Sequence, residues 1–151
     1  MRKTMVRATP VAAVLGLAGQ LFAGGFYLQL GNPEANPEAR KANAVITIKA
    51  TGCGEPAKAQ ITASAIGVIH GKRQEMPLTL TPLSEPGTYA LAQQWPKEGR
   101  WVIEVRGFEK INGTPVFTNT LITAGPDGVD RYHAKSDMKK FTPAAIEAML
   151  K

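Results

Sequence analysis

The chain has 151 residues, 18 Lys and Arg against 12 Asp and Glu for a formal charge of +6, and a single cysteine. That length allows one ordinary domain with appendages, and one cysteine excludes an intramolecular disulfide. Arg2, Lys3 and Arg7 precede the first apolar run; without them the charge is +3, with no Lys/Arg block longer than two. This is too little for the electrostatic footprint of a nucleic-acid binder.

Met1 to Pro10 carries those three cations and no acid, Val11 to Phe22 is apolar, and Ala23-Gly24 supplies small residues for cleavage. This is the layout of a signal peptide. No charge follows until Glu34, so Val11 to Leu30 gives 20 uncharged residues. As a helix that segment spans about 30 Å, the thickness of the hydrocarbon core. Residues 1–30 are therefore expected to be a cleaved signal peptide or an uncleaved hydrophobic helix with its basic end in the cytoplasm. Its four glycines and two glutamines weaken the second alternative. Both place the rest of the chain outside the cytoplasm, periplasmic or extracellular, with membrane association through Val11 to Leu30 in the anchored case.

Asn32 to Ala39 repeats NPEA twice. Each unit offers Asn as a cap and Pro at the first helical position, but neither is long enough to hold a helix alone. Residues 31–43 are expected to be a linker.

Period-two alternation then dominates. Ala44 to Thr51 sets Ile46 and Ile48 against Val45, Thr47 and Lys49. Gly52 to Pro56 is a loop. Lys58 to His70 places Ile61, Ala63, Ala65 and Ile69 on one parity, and Gly67 within it predicts a bulge or a close backbone approach. Gly71 to Arg73 turns the chain. Gln74 to Leu83 is a further strand, which Pro77 and Pro82 assign to an edge.

Gly87 to Gly107 is the stretch around which the rest is arranged. Tyr89 and Leu91 share a parity, Pro96 to Gly99 interrupts, and Trp101, Ile103 and Val105 resume. The pattern predicts two strands joined by a tight turn, with the odd residues inward and Glu104 and Arg106 towards water. Asn112-Gly113 is a type I′ hairpin signal joining Arg100–Ile111 to Thr114–Ala124; followed by Thr114, it also fits a glycosylation sequon. Gly125 to Gly128 closes the domain. Asp130 to Lys140 is polar. Thr142 caps a last short helix whose Ile146, Met149 and Leu150 need a docking surface.

Six strands at regular spacing predict an all-β protein, an antiparallel β-sandwich over residues 44–126, with an N-terminal hydrophobic helix and a short C-terminal helix in a polar tail, 127–151.

Chemistry-bearing residues are sparse. Cys53 lies in a glycine-flanked loop; a reactive thiol needs a base, for which His70 and Lys58 are the candidates. His70, Met76 and Cys53, with His133 and Met138, have the donor types that suit copper, at irregular spacing. Glu98, Glu104 and Glu109 border the central stretch with nothing to make two of them converge. No cofactor is implied. The binding-surface candidates are Trp95, Lys97, Glu98 and Arg100, at the interruption in the central stretch; for Trp95 the alternative is core packing.

Gly54 to Ala65, GEPAKAQITASA, and Gly87 to Gly107 resemble carboxypeptidase regulatory-like (transthyretin-type) domains, in which a G-x-P-x-x-A-x-V pattern opens a strand and G-x-Y precedes a short turn and a strand ending in Gly. The second block also resembles the YtkA/FixH-like group of exported sandwich domains, with P-G-x-Y and a G-x-W strand. The likeness spans roughly Ala44 to Ala124. It implies an immunoglobulin-like or prealbumin-like sandwich acting as an accessory or binding module and not as an enzyme. The histidine or methionine motif of the copper-binding relatives has no counterpart here. The expected function is thus an exported, non-catalytic module that contacts a protein or another envelope component. The alternatives are a periplasmic copper- or other metal-handling protein and a subunit of a membrane-anchored assembly. The oligomeric state stays open.

Overall fold

The computed structural model describes residues 25–151, so the hydrophobic helix expected before Gly25 lies outside the described residues. Among the described residues nine strands form two antiparallel sheets. β1 (Phe26–Gly31), β2 (Ala44–Gly52), β6 (Thr88–Ala92) and β5 (Thr81–Pro82) make one, in the order β1-β2-β6-β5. β4 (Lys72–Leu78), β3 (Gln60–Ile69), β7 (Arg100–Ile111), β8 (Thr114–Gly125) and β9 (Gly128–Asp137) make the other, in the order β4-β3-β7-β8-β9.

The main core is built by alternation. Phe26, Leu28, Ile46, Ile48 and Leu91 from the four-stranded sheet meet Ala63, Ala65, Trp101, Ile103, Val105 and Ile122 from the five-stranded sheet. Each strand turns every second side chain into the gap between sheets, which is why the inward parity read from the sequence holds. Gly67 lies directly opposite Trp101 in the β3–β7 ladder, with no break of register there. A β-carbon at Gly67 would stand 2.5 Å from Trp101 Cδ2, so the glycine serves a close approach and not a bulge. Gly67→Ala is expected to cost about 1–3 kcal/mol through overpacking, read from urea unfolding of the variant beside the parent.

The Asn112-Gly113 hairpin forms as expected, with φ of 51° and 79° at its two central residues and Ile111 opposite Thr114. A similar two-residue turn at His70-Gly71 joins β3 to β4, so Lys72 and Arg73 already belong to β4.

Several expectations change. The apolar stretch ending at Leu30 is not continuous: Phe26–Gly31 is β1, paired with β2 over six residues, because Phe26 and Leu28 alternate with Tyr27 and Gln29 and find a sheet edge. Phe26 to Leu30 are thus strand and not the end of a membrane helix, while Val11 to Gly24 lie outside the described residues; among the described residues no helix is long and apolar enough to cross a membrane. Residues 31–43 are not a free linker. Asn32 caps a 3₁₀ turn, Pro33–Ala35, and Asn36 caps α1 (Pro37–Lys41) through hydrogen bonds from Glu38 and Ala39 N–H. Pro33 and Ala39 are buried, and the Glu38 carboxylate accepts hydrogen bonds from Ser84 N–H and Oγ. Packing thus supplies what two isolated helical turns lack.

The central stretch is not a hairpin. β6 lies in one sheet and β7 in the other, so Gln93–Gly99 crosses between sheets. Gln74 to Leu83 likewise divides into β4 and β5, edge strands of different sheets, with the prolines at the edges as expected. Residues after 126 are not simply a tail, since β9 continues the larger sheet.

α2 (Pro143–Met149) docks on the outer face of the five-stranded sheet. Thr142 Oγ1 accepts the Ala145 N–H, and Ile146 packs on Ile66, Val102 and Leu121, with Phe141, Met149 and Leu150 around them. This second apolar layer buries Glu104, which was expected to face water.

Candidate functional site

The residues proposed for chemistry fall apart in space. His70 sits at the turn beside the Arg100 end of β7, where Val68 pairs with Arg100. Cys53 belongs to the opposite end, where Gly54 packs against Glu109 and Ile111. About ten residues of β7 separate these ends, roughly 33 Å at strand rise, so His70 cannot serve Cys53 as a base. Cys53 is exposed, and its backbone N–H donates to Gly25 O. Met76 is partly buried against the main core, four ladder positions from the turn that holds His70. His70 Nε2 instead meets Glu98 Oε1 at 2.9 Å. Among the described residues no group of three or more His, Cys, Asp or Glu comes together.

Of the binding-surface candidates, Trp95 is buried, 3 % exposed, and belongs to the main core. A stacking platform needs an exposed ring, and the connection between sheets folds this one inward. Lys97 and Glu98 are exposed in that connection. Trp101 Nε1–H donates to Glu98 O at 2.9 Å, which ties the connection to the core. Arg100 lines a cavity.

That cavity, about 490 Å³, opens at the end of the sandwich between the start of β7 and the β8–β9 turn. Trp101, Ala124, Val129 and Met149 give it apolar walls, and Arg100, Asp127 and Asp130 bring charge of both signs. Such a concave, largely apolar space with few polar groups has the size of an ordinary ligand or peptide-side-chain site.

Asp130 also organises what lies beside the cavity. In the β8–β9 ladder Leu121 pairs with Lys135 and Thr123 with Asp130, so Arg131, Tyr132, His133 and Ala134 together oppose Ile122 alone. The edge strand bulges out by three extra residues. Asp130 Oδ1 accepts the N–H groups of Tyr132 and His133, and Asp130 Oδ2 lies 2.7 Å from His133 Nδ1. The His133 side-chain hydrogen bond is the main influence that holds the Asp130 carboxyl below its ordinary value; partial desolvation opposes it, and the His133 charge and the two backbone N–H groups add to it. Arg131 lies over the Tyr132 ring, 4.6 Å from its centroid, while its Nη2 donates to Tyr132 Oη at 2.6 Å. Tyr132 is 79 % exposed. The bulge therefore presents an aromatic ring with a guanidinium against its face.

Sequence reasoning missed this site. The available signal was Pro126-Asp127-Gly128, a hairpin turn that pairs Gly125 with Gly128 and starts β9.

At the far end Glu109 is buried with neither carboxylate oxygen hydrogen-bonded. Desolvation pushes its carboxyl above the ordinary value; the nearby Glu55 N–H offsets part of this without reaching hydrogen-bond geometry, and the Glu55 charge reinforces it. A carboxyl raised in the folded state opposes folding once it ionises, so the penalty is absent below the unfolded value near 4.5 and grows as pH rises through the folded value. Glu109→Gln is expected to unfold at higher urea than the parent at pH 7, with the gap closing near pH 4. Equal midpoints at pH 7 would contradict the assignment.

Comparisons of the chain with protein-family models, with curated proteins and with solved structures find no match in any of the three.

Proposed function

We propose that this chain is an exported, non-catalytic β-sandwich of the immunoglobulin-like or prealbumin-like kind, acting as an accessory module by contact with a protein partner in the cell envelope or outside the cell. The observation that carries this reading is the β9 bulge, where the exposed Tyr132 ring carries the half-buried Arg131 guanidinium and Asp130 ties down the bulge backbone beside an open cavity. Tyr and Arg recur at the energetic centres of protein interfaces, because each offers large contact area and directed hydrogen bonds. The adjoining cavity gives a partner side chain apolar walls, with Arg100, Asp127 and Asp130 to fix its orientation. Export is supported by Arg2, Lys3 and Arg7 ahead of an apolar run with small residues at its end.

The test is gel filtration of mild-detergent extracts from cells that make the full chain. The parent is expected to elute ahead of the position of a single chain. The double variant Arg131→Ala/Tyr132→Ala, with an unchanged unfolding midpoint, is expected to shift to the single-chain position. Identical elution of the two would remove the bulge from the proposal.

A further inference from the structure

Beyond α2 the outer face of the five-stranded sheet continues towards the Asn112-Gly113 hairpin and holds an open cavity of about 470 Å³. Arg106 of β7 and Asn119 of β8, opposite each other in the ladder, line it from the sheet. Phe117 of β8 and Met138, just past the end of β9, give it apolar walls, and Lys139 and Lys140 complete the lining. Phe117 and Met138 are large apolar side chains left exposed. The Phe117 ring packs against Phe108, with centroids 5.1 Å apart. Asn119 sets this cavity apart from an ordinary surface hollow. It is 5 % exposed, and its carboxamide makes no hydrogen bond among the described residues. Nor does it belong to the polar side-chain atoms sealed from solvent, so the surface it keeps is open to the cavity it lines. A nearly buried carboxamide without a partner is unfavourable, and a ligand group entering the cavity removes that cost.

The charges around Asn119 select an anion. Arg106 gives one N–H to Glu104 Oε2, at 2.6 Å, and keeps the other donors of its guanidinium. Lys139 and Lys140 are exposed and have no ion pair among the described residues. No carboxylate lines the cavity among the described residues. The acids beside it are Glu104 and Asp137, which pairs with Asn119 in the β8–β9 ladder and whose Oδ1 accepts the Lys139 N–H at 2.8 Å. Set against Arg106, Lys139 and Lys140, these two still leave a positive charge to spare. Glu147 is taken up by Arg73, and Glu75 stands on β4, with two strands between it and β8. The apolar wall includes Met138, whose unbranched thioether chain adapts to what lies against it. The volume is that of an ordinary small-ligand site. We propose that this cavity binds an unbranched alkyl carboxylate of medium length. Its carboxylate takes N–H groups from Asn119 and Arg106 with Lys139 and Lys140 beside it, and its chain lies along Phe117 and Met138. The site does not depend on the β9 bulge, which ends at Ala134.

The test is calorimetric titration of the full chain with octanoate, with octylammonium, which reverses the charge, and with acetate, which lacks the chain. Octanoate is expected to bind saturably, and each of the other two at least about tenfold more weakly, the loss of one charged hydrogen bond or more. Asn119→Asp, which sets a carboxylate where the carboxamide stood, is expected to weaken octanoate binding by at least the same factor. The double variant Lys139→Ala/Lys140→Ala, at exposed positions whose replacement leaves folding intact, is expected to weaken octanoate about tenfold and to narrow its advantage over octylammonium. The proposal thus stays testable if Asn119→Asp unfolds. Arg2, Lys3, Arg7 and the apolar run after them are the same in every variant, so a loss places binding at the cavity. No octanoate binding up to about 10 mM, equal binding of octanoate and octylammonium, or unchanged octanoate affinity in Lys139→Ala/Lys140→Ala would overturn it.

Discussion

Trp101→Ala is expected to lower the unfolding free energy by about 3–5 kcal/mol. The ring is fully buried near the start of β7, the central strand of the five-stranded sheet. It lies across Gly67 on the neighbouring strand, where even one β-carbon would overlap it. Its Nε1–H also holds Glu98 O, so truncation leaves that carbonyl without its donor and frees the connection between the sheets. Because Trp101 is a wall of the 490 Å³ cavity, the lost volume opens towards solvent and the sheet cannot collapse simply to refill it. Against a total stability of about 5–15 kcal/mol for a domain of this kind, the loss is large. Urea unfolding followed by circular dichroism measures it. The same geometry predicts coupling: Gly67→Ala costs about 1–3 kcal/mol in the parent and close to nothing in Trp101→Ala, since the atoms it meets are gone. Additive costs would contradict the contact.

Phe26→Ala has an expected effect of similar size, again about 3–5 kcal/mol, whereas Tyr27→Ala changes stability by less than about 0.5 kcal/mol. Phe26 is 2 % exposed and Tyr27 is 54 % exposed, as adjacent residues on opposite faces of one strand must be. The Phe26 ring reaches the position of Gly107 on β7, from which a β-carbon would lie 2.9 Å away, so β1 is joined to both sheets. Equally mild effects of the two substitutions, by the same unfolding measurement, would show that β1 is dispensable and return Phe26–Leu30 to the hydrophobic leader.

These two residues also mark where sequence reasoning succeeds. Trp101, Ile103 and Val105 were legible because alternation is local and Asn112-Gly113 fixes the following register. Phe26 and Leu28 alternate just as well, but the continuous apolar run before them masks the period. Gln93–Gly99 looks like a hairpin loop because Pro and Gly mark a break without saying which sheet the chain enters next; that choice belongs to packing between distant strands. Glu104 reads as an outward residue on any single strand. It is buried because a helix some forty positions later lays Ile146 on Val102. For the candidate site, Arg100 was legible as a residue at the start of a strand. Tyr132 was not, since its prominence depends on a bulge seen only in the pairing of β9 with β8.

The proposed role rests on the β9 bulge as the surface through which the chain meets its partner. Photo-crosslinking in intact cells tests this directly, with a photoreactive phenylalanine placed at position 132 or, on the other sheet, at position 27. The account predicts one discrete adduct from position 132, lost when Arg131 and His133 are replaced by alanine, and none from position 27. Adducts of equal yield from both positions, or from position 27 alone, would contradict it.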